Sequence, residues 1–191
     1  FRLMTQSGIG PDRAMVLHGP SRLDRLDPSL LDGLDVLVVD ASIGHPSGSL
    51  WAALDDWVHD GGHLFIEGMG IPDSEVVQQE NYPEPFPVSI VAQSAASQKW
   101  SFDQKQVEGM ATVSFGDPDW DRTKTWELRS PGAPRDWAKT LLSHAGIPLV
   151  LDGQLGNGRV TWSGMNLAYH ADVFGSQDET HLLLDLIDVP S

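Results

Sequence analysis

Asp35-Val36-Leu37-Val38-Val39-Asp40 and, one helix-length later, Gly61-Gly62-His63-Leu64-Phe65-Ile66-Glu67 are the stretches whose reading decides the fold. A continuous, largely β-branched run such as Val36 to Val39 belongs to a strand covered on both faces, and His63 to Glu67 reads as a second buried strand. Between them, Ser49 can cap a helix whose apolar stripe is Leu50, Leu54, Trp57 and Val58. Asp60-Gly61-Gly62 ends that helix, because glycine takes the left-handed conformation that closes one. Strand, helix and strand with short joints make a parallel βαβ unit, whose crossover is right-handed.

Upstream, Leu23, Leu26, Leu30 and Leu31 recur at helical spacing and Asp32-Gly33 stops the run; Ala14 to His18 reads as a short strand, and Phe1 to Gly10 as a lead-in without period. Downstream, Pro72, Pro83, Pro85 and Pro87 break any helix, so residues 71–129 read as an irregular insertion containing short strands at Val88-Ser89-Ile90-Val91 and Ala111 to Phe115. Pro134 opens a predicted helix with Trp137, Ala138, Leu141 and Leu142 on one face and Gly146 at its end. Pro148 to Leu151 and Arg159 to Trp162 pair as a hairpin through Gly156-Asn157-Gly158. Ser176 and Glu179 form a capping box before a last helix whose apolar face is Leu182, Leu183, Leu186 and Ile187. The expected architecture is one α/β domain over residues 1–191, with a mostly parallel sheet flanked by helices, flavodoxin-like in layering.

Twelve Lys plus Arg against 27 Asp plus Glu give a net charge of −15. That balance disfavours nucleic acid and anionic membrane surfaces, since phosphate binding rests on basic side chains. The absence of Cys excludes disulfides, thiolate metal sites and a cysteine nucleophile. No apolar run approaches the roughly 20 residues that span a bilayer, so this segment does not itself insert. A start at Phe1-Arg2-Leu3-Met4, without a signal-peptide pattern, reads as a piece of a longer polypeptide.

Leu34 to Asp40, Leu50 to Asp60 and Gly61 to Gly68, taken with Gly156 to Gly164, resemble the class I glutamine amidotransferase-like fold. The resemblance covers about a third of the chain, and it implies a nucleophile turn after the second strand and a catalytic His and acid after the return strand. Here the turn is Gly68-Met69-Gly70, and a thioether is no nucleophile toward an amide; Trp162 to Asn166 holds neither His nor Glu. The resemblance therefore implies a scaffold without its triad. Gly158 to His170 is in addition similar to a segment of amidotransferase-like domains on the outside of large prokaryotic membrane proteins, which implies an extracytoplasmic accessory domain.

Open α/β sheets place their sites at the carboxyl ends of the strands, which assembles a candidate ligand pocket from Ser42, His45, Glu67, Met69, Asn166 and His170. Around His170, Asp172 and Glu67 a rearranged active site would make the chain a hydrolase, the enzyme alternative to a binding domain. Asp117, Asp119 and Asp121 alternate as the first half of a calcium loop does, though Leu128 stands where the loop's final Glu belongs. Among the seven Trp, Trp51, Trp57 and Trp137 fall on or beside apolar faces, while Trp100, Trp120 and Trp126 are candidates for a carbohydrate platform. The leading expectation is a non-catalytic accessory domain, without cofactor, partnered by other domains of the same polypeptide and with carbohydrate as a candidate ligand. A calcium-stabilised extracellular carbohydrate-binding module is the third reading.

Overall fold

The apolar runs on either side of Gly61-Gly62 lie side by side as parallel strands. The structure is a computed structural model, and it describes residues 27–40, 48–67, 87, 99–100, 107–108, 126–127, 134–144, 147–165, 167–168 and 177–187. The described elements are a 3-10 turn at Pro28–Leu31, then β1 (Val36–Asp40), α1 (Gly48–His59), β2 (His63–Glu67), β3 (Lys99–Trp100), β4 (Val107–Glu108), β5 (Trp126–Glu127), β6 (Lys139–His144), β7 (Ile147–Leu155), β8 (Gly158–Ser163) and α2 (Gln177–Ile187). The main sheet runs β1-β2-β8-β7-β6-β4, and β3 pairs with β5 apart from it.

β1 pairs with β2 and β2 with β8 in parallel, whereas β8–β7, β7–β6 and β6–β4 are antiparallel. The sheet is thus mixed rather than mostly parallel. Two features make it so. The β7–β8 hairpin turns at Gly156-Asn157, where Gly156 takes φ 61°, and that turn forces antiparallel pairing. The second feature is a correction: the predicted helix from Pro134 is not formed, and of its apolar residues Leu141 and Leu142 enter β6 while Trp137 and Ala138 lie before it. There Arg135 N–H donates to the Pro87 carbonyl at 2.9 Å, and Ala138 N–H to the Arg135 carbonyl at 2.9 Å. Leu141 and Leu142 are adjacent in sequence, which suits a helix face better than a regular strand. The register with β7 shifts on both sides of Leu142, and that irregularity lets Leu142 be fully buried while Lys139 and Thr140 stay exposed.

Alternation along the strands separates two apolar layers. Leu64, Ile66, Leu151, Val160 and Trp162 face α1 and pack with Val58, flanked by Trp51, Trp57 and Trp137, so these three indoles serve packing. Phe65, Val150, Leu142, Met165 and Leu167 face the other way, against Leu182, Leu183, Leu186 and Ile187 of α2. Leu50 and Leu54 close the first layer against Leu31.

Smaller expectations shift as well. α1 begins at Gly48, so Ser49 lies in its first turn rather than at its cap. The Pro28–Leu31 turn is capped by Asp27, whose carboxylate accepts from Ser29 N–H at 3.0 Å. That bond holds the Asp27 carboxyl below the usual range. Within 71–129, the described strands β3, β4 and β5 are two residues each, and β4 adds to the main sheet. Phe1 to Gly10, the strands expected at Ala14 to His18, Val88 to Val91 and Ala111 to Phe115, and the Ser176 cap lie outside the described residues. No helix among the described residues is long and apolar enough to cross a membrane.

Candidate functional site

On the α2 side of the sheet, β2 presents His63, Phe65 and Glu67, and β8 presents Arg159, Thr161 and Ser163, with Asp152 on β7 opposite Thr161. Toward the amino ends of β2 and β8 these positions are polar, and they are wired together. His63 Nε2 lies 2.9 Å from Thr161 Oγ1, Thr161 Oγ1 donates to Asp152 Oδ1 at 2.6 Å, and Arg159 Nε donates to the same oxygen at 2.7 Å.

Counting protons fixes the tautomer. An ionised carboxylate only accepts, and a threonine hydroxyl has one proton, which it gives to Asp152. His63 Nε2 must therefore carry its hydrogen and donate it to Thr161, leaving Nδ1 with a lone pair. That Nδ1 is buried and has no hydrogen-bond partner. Removal from water is the main reason the His63 imidazole titrates far below its usual value, at about 4, with the Arg159 guanidinium reinforcing the shift and the Asp152 carboxylate opposing it. His63 is neutral at physiological pH.

Asp152 accepts two charge-assisted bonds, but it and Arg159 keep part of their surface in water, which discounts the pair. Replacing Asp152 with Ala is expected to lower stability by about 2 kcal/mol, leaving the fully buried Thr161 hydroxyl without its acceptor. Urea unfolding measures this, and an unchanged midpoint would show that water replaces the carboxylate.

Beside this network, at the end of the sheet where β1, β2 and β8 begin, lies an open cleft of about 660 Å³. Its wall includes Asp32 and Asp35 before β1, Trp57 and Asp60 at the end of α1, and His63 and Arg159. The site read from sequence was placed at the opposite end of the strands. Of its residues only Glu67 is described: it closes β2, is 3% exposed, and sits in register between Asp40 of β1 and Ser163 of β8. Ser42, His45, Met69, Asn166, His170, Asp172, Asp117, Asp119 and Asp121 lie outside the described residues, as does Trp120. Trp100 and Trp126 are register partners across β3 and β5.

His63, Asp152, Arg159 and Thr161 went unread in the sequence, although a signal was there. Polar residues at 152, 159 and 161 interrupt otherwise apolar strands, and the Gly156-Asn157 turn sets 152 opposite 161.

No protein-family model matches the chain, and no curated protein is similar to it in sequence. Among solved structures, it is similar to cytoplasmic protein STM3548 from Salmonella typhimurium, at 13% identity and TM-score 0.49, covering 86% of this chain and 77% of that one. It is likewise similar to cytoplasmic protein STM1381 from Salmonella typhimurium LT2, at 13% identity and TM-score 0.49, covering 98% and 86%. A third likeness is to exo-β-1,4-mannosidase Op5Man5 from Opitutaceae bacterium strain TAV5, at 16% identity and TM-score 0.47, covering 84% of this chain and 26% of that one. These likenesses decide neither activity nor ligand.

Proposed function

We propose that this chain is a non-catalytic, amidotransferase-like accessory domain of a larger, membrane-attached protein, and that it serves binding rather than turnover. The observation that carries the reading is the direction of the His63–Thr161–Asp152 bonds. In a hydroxyl–imidazole–carboxylate relay, the hydroxyl gives its proton to the imidazole and the carboxylate orients the far ring nitrogen. Here the hydroxyl donates to the carboxylate, and the imidazole donates to the hydroxyl. Thr161 Oγ1 therefore has no base to activate it, and an imidazole that titrates at about 4 is a weak base at neutral pH. The three residue types of a hydrolytic triad are present and wired to hold strands together.

The parallel β1–α1–β2 unit with β8 beside β2 supports the amidotransferase-like part of the reading. The outer-face placement rests on the resemblance of residues 158–170 alone. The test is hydrolysis of 4-nitrophenyl acetate and of a set of 4-nitrophenyl glycosides by the purified chain. The expected rates equal those of buffer. A rate above buffer that disappears in Thr161→Val or His63→Gln would overturn the proposal and make this network an active site.

A further inference from the structure

We infer that the open edge of β1 is a strand-docking surface, and that its occupant is this chain's own Ala14-Met15-Val16-Leu17-His18, laid parallel to β1 with Val16 beside Val38. The inference is independent of the binding reading above. β1 and β2 are alike in composition but not in cover. Every residue of β2 is buried, between β1 and β8. β1 ends the main sheet; in it Val36 and Leu37 are half-buried and Val38, at its centre, is 45% exposed. The Asp35 carbonyl accepts from His63 N–H at 3.0 Å. Asp35, Leu37 and Val39 therefore turn their backbone groups toward β2, and by alternation Val36 and Val38 turn theirs to the open edge. An apolar edge of this kind is one that proteins cover.

The direction from which the chain enters β1 names the occupant. Leu31 packs against Leu50 and Leu54, so the polypeptide comes to β1 over the face of the sheet that α1 covers. The β1–α1–β2 crossover runs over that same face and advances from β1 to β2. Right-handed crossovers over one face all advance in one direction, so the strand before β1 belongs on its far side from β2. Segment 14–18 lies outside the described residues and carries the strand pattern; residues 19–34 supply the dozen or more that a parallel crossover needs.

Charge sets the register and disfavours a second copy. Arg13 and His18 bracket the segment at the same spacing as Asp35 and Asp40 bracket Val36 to Val39. In-register parallel pairing sets Arg13 beside Asp35, which is exposed, and His18 beside Asp40. Two copies of β1 meeting antiparallel about a two-fold axis would instead set Asp35 against Asp40, and like charges face to face repel. The pleat then puts Val16 on the face of Val38, and Met15 and Leu17 on the α1 face with Leu37 and Val39. With that edge filled, other domains of the polypeptide are left to engage this one elsewhere than by adding a strand to β1.

The chain holds no Cys, so a pair of introduced thiols reports its own contact alone. In the full chain, Val16→Cys with Val38→Cys is expected to form an intramolecular disulfide under mild oxidation roughly tenfold faster than Met15→Cys with Val38→Cys, in which the first thiol belongs to the other face. Peptide mass mapping identifies the bond. In native hydrogen exchange the Val38 amide is expected to exchange about a hundredfold more slowly than in an unstructured peptide. Arg13→Glu is expected to speed that exchange roughly fivefold, and adding Asp35→Arg to reverse the effect. The Leu37 amide, which faces β2, stays protected in every variant and shows that β1 itself is intact. Equal oxidation of the two thiol pairs, or a Val38 amide that exchanges as freely as in a peptide, overturns the proposal. An Arg13→Glu effect that Asp35→Arg fails to reverse overturns the register. Disulfides that join two chains, with a dimer in sedimentation of the native protein, overturn it in favour of a second copy at this edge.

Discussion

Acidification from pH 7 to pH 4 is expected to destabilise the native chain by about 3 kcal/mol more than it destabilises a His63→Gln variant. The figure comes from the imidazole titrating at about 4 when folded against 6.5 when unfolded, at about 1.4 kcal/mol per pH unit. The sign follows from which state binds the proton. Between 6.5 and 4 the unfolded chain takes up a proton that the folded chain refuses, because protonated Nδ1 would place a charge and a donor where no acceptor exists. The contribution is fully present above pH 6.5 and is lost as pH falls toward 4. The measured quantity is the difference between native chain and variant in urea unfolding at a series of pH values, which cancels the groups the two share. His63→Gln carries a constant offset from its altered bond to Thr161, and only the slope tests the claim. A difference that stays flat from pH 7 to pH 4 would show that His63 is solvated or partnered in solution.

Gly158→Ala is the second change with a large expected effect. A Cβ at Gly158 would run into the carbonyl oxygens of Val58 and Gly62. Both are backbone atoms with fixed duties: Val58 O accepts from Gly61 N–H at 3.0 Å, and Gly62 O from Arg159 N–H at 3.1 Å. Neither can rotate away as a side chain would, so relief requires β8 to move off the end of α1. The expected loss is about 3 kcal/mol, the upper end of the overpacking range, or roughly 6–12 °C in Tm for a chain of this size. Gly33→Ala is the control. Its φ is 86°, yet nothing lies within 4 Å of the added carbon, so it bears only backbone strain of about 1–2 kcal/mol. If the two variants melt together, the close approach at Gly158 is not a constraint in solution.

The parts of the fold that were legible are those in which a local pattern admits one structure. Val36 to Val39 and His63 to Glu67 flank a full helical stripe, and Gly156-Asn157 fixes the β7–β8 register almost alone. Residues 134–146 were misread because Trp137, Ala138, Leu141 and Leu142 fit a helix face as well as an irregular strand, and pairing with β7, the next strand in the chain, decides between them. The same choice adds two antiparallel pairings, β7–β6 and β6–β4, to that of the hairpin. The His63–Thr161–Asp152 network went unread for a different reason. Analogy with open α/β sheets directed attention to the carboxyl ends, while the informative residues were exceptions inside the strands. Asp152 and Thr161 look like minor interruptions in apolar runs until the hairpin sets them face to face and His63 arrives from β2.

β2 and β8 are neighbours in the sheet, yet the bond that joins them, from His63 to Thr161, connects residues 98 positions apart. Ring-closure entropy grows only with the logarithm of the enclosed length, about 0.6 kcal/mol for each doubling. The polypeptide between the two strands can therefore lengthen or shorten by tens of residues at little thermodynamic expense, so long as β6 and β7 still reach the sheet. Assembly speed is where the long closure is felt: the local βαβ unit and the β7–β8 hairpin can each form early, and their docking across β2 and β8 is the natural slow step.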